Sequence, residues 1–216
     1  MQISKRLLIA MICLTSLSSH IYSQIRIGVK GNLQFTNVTD VHEFSETRNF
    51  APALGIIAQI PFNDANNNFF FQPEILYSWQ GEKNGDVINI EYFQDYVNLP
   101  LMLKYYFADF LFSSKKVCNC KGAANHEFFL EAGPQLGFLV KQKNKDSDDL
   151  YYGGVSKFDF SFGLGAGIIF RRKLELSARY NYGLTDAYKN YPRQNSVSNL
   201  AFSVSYLFGT SSGAIK

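Results

Sequence analysis

Between Leu174 and Leu184 the chain reads LELSARYNYGL, and apolar and polar residues alternate over its whole length. In an extended strand Leu174, Leu176, Ala178, Tyr180, Tyr182 and Leu184 fall on one face, and Glu175, Ser177, Arg179, Asn181 and Gly183 on the other. Such a strand needs an apolar medium on one side and, on the other, a setting that tolerates a glutamate and an arginine at mid-strand. About ten residues is also the length that crosses a bilayer when tilted.

Seven more segments carry the same period. Ile25 to Phe35 sets Ile25, Ile27, Val29, Leu33 and Phe35 against Arg26, Gly28, Lys30, Asn32 and Gln34. Phe50 to Ile60 sets Leu54 and Ile56 against Ala53, Gly55 and Gln59, and Phe69 to Gln80 sets Ile75 and Tyr77 against Gln72, Glu74 and Ser78. Tyr92 to Phe107 opposes Leu101, Leu103 and Tyr105 to Met102 and Lys104, while Glu127 to Val140 opposes Leu130 and Phe138 to Glu131, Gln135 and Gly137. Phe158 to Phe170 opposes Phe162 and Leu164 to Asp159, Ser161, Gly163, Gly165 and Gly167. Asn199 to Phe208 opposes Leu200, Phe202, Val204 and Tyr206 to Ala201, Ser203 and Ser205.

Before the first strand, Met1 to Ser23 has the layout of a secretory signal. Lys5 and Arg6 form a charged start, Leu7 to Leu17 an apolar stretch, and cleavage after Ser23 leaves residues 24–216 as one barrel domain. Cys13 has no small residue directly before it, as a lipidated cysteine would need, and leaves with the signal. Losing Lys5 and Arg6 lowers the formal charge from +3 to +1, which gives no basic field for nucleic acid. No apolar run after the signal is long enough for a transmembrane helix. A closed barrel is the remaining way across, because each strand satisfies its neighbour's backbone and none is left to lipid.

Volume decides which face points inward. An eight-stranded barrel has an interior only just wide enough for side chains. The apolar faces carry several bulky residues per strand, whereas the opposite faces are rich in Gly, Ser, Ala, Asn and Gln. The reading is therefore all-β: an eight-stranded antiparallel up-and-down transmembrane β-barrel, bulky residues outward. Phe35, Tyr77, Trp79, Tyr105, Phe107, Tyr182, Tyr206 and Phe208 supply the interfacial girdles.

The inward faces then hold Arg26, Lys30, Lys104 and Arg179 against Glu74, Glu131, Asp159 and Glu175. An unpaired buried charge costs several kcal/mol, so a balanced set in a narrow lumen implies mutual pairing and a plugged interior. With the N-terminus on the periplasmic side, the outer loops are Thr36 to Asn49, Gly81 to Glu91, Lys141 to Lys157 and Thr185 to Val197. The inner turns are Pro61 to Asn68, Ala108 to His126 and Arg171 to Lys173, with Lys115, Lys116, Lys121, Arg171, Arg172 and Lys173 placed near anionic lipid heads.

The segments IGVKGNLQFTNV (Ile27 to Val38), QPEILYSWQGEK (Gln72 to Lys83), YVNLPLMLKYYF (Tyr96 to Phe107), EFFLEAGPQLGFLV (Glu127 to Val140) and LSARYNYGLTD (Leu176 to Asp186) occur in that order. Together they resemble the PorT-like outer-membrane β-barrel family of Gram-negative bacteria, over essentially the whole mature chain. The resemblance implies an eight-stranded outer-membrane barrel, mostly without assigned activity, whose namesake is linked to protein secretion and gliding. Outer-membrane barrels often end on an aromatic residue, whereas here Gly209 to Lys216 follow Phe208.

Residues with reactive chemistry are few. His42 lies beside Asp40 and Ser45 in the first outer loop, a base and a nucleophile of the kind a lipid-modifying barrel enzyme would use. Cys118 and Cys120, with His126 beyond, are too few and wrongly spaced for a zinc site, and a labile disulfide between the cysteines or to another chain suits an oxidising periplasm better. No phosphate loop or nucleophile elbow is present, and no cofactor is implied. The expected function is a non-enzymatic outer-membrane barrel that contacts lipid and meets protein or small ligands through its outer loops. The alternatives are a lipid-modifying enzyme and a secretion accessory working through the Ala108 to His126 turn.

Overall fold

The computed structural model describes residues 25–38, 45–62, 68–84, 90–107, 126–145, 156–187 and 195–208. Eight strands run in chain order: β1 (Arg26–Val38), β2 (Ser45–Pro61), β3 (Phe69–Asn84), β4 (Ile90–Phe107), β5 (His126–Lys145), β6 (Phe158–Phe170), β7 (Leu174–Gly183) and β8 (Val197–Leu207). Each pairs antiparallel with the next, and β8 returns to β1 from Gly28↔Leu207 to Val38↔Val197, closing the barrel. The end bearing the short β6–β7 turn is the inner end, and the opposite one the outer end. Met1 to Ser23, Asp40, His42, Cys118 and Cys120 lie outside the described residues.

Alternation translates directly into sidedness. Ile27, Leu54, Ile75, Leu103, Leu130, Leu164, Leu176 and Val204 point outward and are between 40% and 63% exposed. Lys30, Glu74, Lys104, Glu131, Glu175 and Arg179 point inward and are at most 2% exposed. Rings mark the inner border of the apolar band: Phe69 and Tyr105 lie 4.5 Å apart, Phe107 and Phe128 6.2 Å, Tyr206 and Phe208 5.3 Å. Toward the outer end Tyr77 packs on Trp79 at 5.0 Å and Phe138 on Phe158 at 5.6 Å. Phe35 and Phe50 meet at 6.1 Å. There β2 changes register against both neighbours and Phe50 takes a positive φ of 61°, a bulge that bends the strand at the rim.

The structure corrects the expected loop boundaries at the outer end. Residues read as loops from Gly81 and from Lys141 continue the strands instead, so that β3 runs to Asn84, β4 begins at Ile90 and β5 reaches Lys145. Alternation fades beyond the lipid, where neither face needs to be apolar, while backbone pairing goes on. Strands β2 to β5 have 17, 16, 18 and 20 residues, against 13, 13, 10 and 11 for β1, β6, β7 and β8. At about 3.3 Å per residue the longer four exceed even a tilted path across the hydrocarbon, and they stand above the outer rim as a wall.

A second difference lies inside. Volume predicts a lumen of small and polar side chains, yet Ile57, Phe70, Tyr106, Phe129, Ile169 and Leu207 form a buried apolar cluster there. Glycine makes the room: a Cβ at Gly167 would fall 2.5 Å from Phe129 Cζ.

The lipid-facing assignment is testable at Leu164, in the middle of β6. Leu164→Arg should destabilise the folded barrel by about 2–4 kcal/mol, and Ser177→Ala, on the lumen face of β7, should change it little. Urea refolding titrations in lipid vesicles measure both, and equal effects at the two positions would contradict the sidedness.

Candidate functional site

The centre of the lumen is a chain of six charges that alternate in sign. Lys30 Nζ on β1 donates to both carboxylate oxygens of Glu74 on β3, at 3.0 and 3.1 Å. Arg179 on β7 grips Glu74 with both terminal nitrogens, at 2.8 and 3.1 Å, and reaches Glu131 on β5 through Nε at 2.6 Å. Lys104 on β4 faces Glu131 Oε2 at 3.3 Å, as a charge contact outside hydrogen-bond geometry, and donates to Glu175 Oε2 at 2.8 Å. Gly165 on β6 admits this crowding, since a Cβ there would fall 2.9 Å from Glu131 Oε1.

Neutral groups close the chain into a ring. Tyr106 donates its hydroxyl to Glu175 Oε1, and Gln59 Nε2 lies within donor range of Tyr106 at 2.7 Å and Gln72 Oε1 at 3.1 Å. Gln72 in turn donates to Glu74 at 2.8 Å. Below the ring, Lys104 Nζ sits 4.3 Å from the centre of the Phe129 ring, so the apolar cluster also faces a cation. Three positive and three negative charges, all desolvated, satisfy one another without a net charge.

The two remaining lumen charges lie outside this ring. Arg26 donates to Gln59 Oε1 and, at 2.7 Å, to the carbonyl of Arg172 in the β6–β7 turn. Arg172 itself holds Glu127 through two bonds of 2.9 Å. This turn is strained: Arg171 and Arg172 have φ of 47° and 54°, where Gly or Asn is the usual choice. Lys173 N bonds Phe170 O at 2.9 Å and completes it. Asp159, in contrast, accepts from Thr185 Oγ1 at 3.2 Å and has no cation within ion-pair distance among the described residues. Uncharged groups fill the lumen around it, including Tyr96, Asn98, Gln135, Ser161, Asn181 and Asn199.

Of the eight charges read from the sequence as lumen residues, six are thus brought together, while Arg26 and Asp159 bond to neutral groups. Sequence reasoning missed Gln59, Gln72 and Tyr106 as the arc that closes the ring, and the Arg172–Glu127 pair as a latch at its inner end. Glu127 was legible, because it is in phase with Glu131; Arg172 was not, because turn residues have no phase. His126 begins β5 with its ring 6.5 Å from Phe128. Cys118 and Cys120 lie outside the described residues, as do Asp40 and His42, and Ser45 is the first residue of β2. The result is a closed barrel whose interior is plugged by paired charges, not an open pore.

Residues 15–189 match the family described as outer membrane protein beta-barrel domain. Among solved structures, the chain is similar to Neisserial surface protein A, with 16% identity, 84% of this chain and 97% of that chain covered, and a TM-score of 0.46. It is similar to Ail of Yersinia pestis, solved in complex with the heparin analogue sucrose octasulfate, at 10% identity, with 86% and 99% covered and a TM-score of 0.42. The outer membrane enzyme PagL is similar at 10% identity, with 83% and 98% covered and a TM-score of 0.45. No curated protein matches the chain.

Arg179 holds two carboxylates, so its loss should be the most damaging single change in the ring. Arg179→Met leaves Glu74 with one cation and Glu131 with one distant contact, and should cost about 3–5 kcal/mol. Adding Glu131→Gln should recover part of that loss in the same refolding titration; a neutral single variant would mean that the ring is solvated. Planar-bilayer recordings of the purified wild type should show no stable channel, and a steady large conductance would contradict the plug.

Proposed function

We propose that the chain, which belongs to the outer membrane protein beta-barrel domain family, works as a non-enzymatic barrel with a structural or interaction role, acting through its outer face. An N-terminal signal, Met1 to Ser23, directs its export, and the mature barrel sits in outer-membrane lipid. The observation that carries this reading is the filled lumen. With a closed ladder, a ring of paired charges and an apolar cluster beneath it, the interior offers solutes no route. What remains for contact is the outside: the wall formed by β2 to β5 and the loops it carries. At the rim, Tyr77 on β3 donates to Asp95 Oδ2 on β4 at 2.9 Å, which ties two strands of the wall together.

Within the family, the order of the P-E-x-x-Y, L-P-L-x-L-K-Y, E-A-G-P-Q and A-R-Y-N-Y-G-L segments supports the finer reading of a PorT-like barrel. That reading moves the contact to the inner end and makes the Ala108 to His126 segment the docking element of a secretion accessory.

Cross-linking in native outer membranes, with two shortened variants, separates these readings. Replacing residues 84–90 by a two-residue turn should leave the barrel folded and remove its protein cross-links. Loss of cross-links instead on shortening residues 108–125 would favour the secretion accessory. Purified protein incubated with phospholipid and lipopolysaccharide should leave every lipid mass unchanged. A lost acyl chain or an altered headgroup would establish a lipid-modifying enzyme, with His42, Asp40 and Ser45 the first residues to substitute.

A further inference from the structure

The β6–β7 turn carries three consecutive cations, Arg171, Arg172 and Lys173, and the structure uses only one of them internally. Arg172 is spent on Glu127, and its carbonyl on Arg26. Arg171 and Lys173 are exposed, and neither has a carboxylate partner among the described residues. Their backbone is nonetheless held firmly. Arg171 and Arg172 keep φ of 47° and 54°, Lys173 N bonds Phe170 O at 2.9 Å, and Leu207 N bonds Lys173 O at 2.8 Å. A left-handed conformation that neither arginine favours persists because both ends of the turn and the middle carbonyl are tied down.

The position of these two free cations is set by their neighbours. Phe170 and Leu174, which flank the turn, face outward, as do Tyr206 and Phe208 on the adjoining strand, and all four are between 37% and 52% exposed. Leu174 is paired directly with Tyr206, and the Tyr206 and Phe208 rings pack edge to face at 5.3 Å. Aromatic side chains in an outward band of this kind sit at the level of lipid headgroups. Two cations with no carboxylate partner among the described residues, on a turn whose backbone is tied down, therefore lie where phosphates of the inner leaflet lie, beside rings that hold the adjacent glycerol and upper acyl region.

We propose that Arg171 and Lys173, presented by the latched β6–β7 turn and bordered by Phe170, Tyr206 and Phe208, form a binding site for the headgroup of an anionic phospholipid in the inner leaflet. The lipid phosphate would bridge the guanidinium and the ammonium, and the latch through Arg172, Glu127 and Arg26 would fix their spacing before the lipid arrives.

The experiment is native mass spectrometry of the full-length protein released from micelles containing equal amounts of phosphatidylglycerol and phosphatidylethanolamine. The wild type should retain phosphatidylglycerol preferentially. Each basic side chain near an anionic surface contributes roughly a fivefold effect, so Arg171→Gln and Lys173→Gln should each lower the preference by about that factor, and the double variant should abolish it. Both positions are exposed, and heat-dependent gel mobility checks that each variant is folded. Lys141→Gln, an exposed lysine near the outer end, should leave the preference unchanged. Glu127→Gln, which frees Arg172 but releases the turn, should lower it. The proposal is overturned if the wild type shows no preference, if Lys141→Gln weakens it as much as Arg171→Gln, or if Glu127→Gln strengthens it, since that result means diffuse attraction to total charge.

Discussion

Everything in this chain depends on the pairing of β8 with β1. A sheet in lipid has no water to satisfy its edges, and an open edge would expose a row of amide and carbonyl groups at several kcal/mol each. The unbroken ladder from Gly28↔Leu207 to Val38↔Val197 removes that edge. Closing a sheet at eight strands also fixes the diameter, and with it the volume available inside. The two-sided alternation of every strand, the bulky outward residues and the glycines of β6 all follow from this one closure.

The narrow lumen explains why the charges form a ring and not a set of isolated pairs. Glu74 is bonded by Lys30, Arg179 and Gln72, while Arg179 also holds Glu131, so no member can be satisfied by its own strand or by an adjacent one alone. Partners from β1, β3, β4, β5 and β7 must arrive at the same height. A slip of one residue in any of these strands would turn its charge toward lipid and its apolar residues inward. The ring is therefore informative about register even though buried ion pairs add little net stability over well-packed apolar groups.

Legibility in the sequence followed the same physical line. Where one face meets lipid, period two is enforced, and the strands from Phe158 to Phe170 and from Leu174 onward were readable almost to the residue. Beyond the lipid the enforcement ends, and the outer parts of β2, β3 and β5, with the first two residues of β4, carry no strand signal in the sequence. The charges of the ring were legible as inward residues because they share a phase with Gly, Ser and Asn. Their partners were not, since phase gives a face but not a height, and height comes from the tilt and stagger of the closed sheet. The buried Phe70, Phe129 and Ile169 went unread for a related reason: each stands between two outward apolar residues, where apolar character no longer distinguishes the faces.

The two ends of the barrel are built from different chemistry, and the difference assigns them different roles. At the inner end Phe129, Tyr106 and Ile169 pack with no exposure above 3%, and the Arg172–Glu127 pair and the Arg26 bond to the turn carbonyl latch the rim. Toward the outer end the lumen is lined by Asn32, Ser161, Asn181 and Ser203, each with a buried polar atom that has no hydrogen-bond partner within the described protein. An apolar cluster tolerates no substitution that leaves a void or an unmet charge. A layer of small amides and hydroxyls accepts exchange among its members more readily, because each contributes little packing. The same division holds outside, where the three-residue β6–β7 turn is held by five hydrogen bonds, one each from Lys173 N, Leu207 N and Arg26 and two from Arg172, while the wall of β2 to β5 extends past its neighbours. Internal bonding is therefore concentrated at the inner end, while among the described residues the strand surface that extends past the rest of the barrel lies at the outer end, so that the outer face can vary without loosening the barrel that carries it.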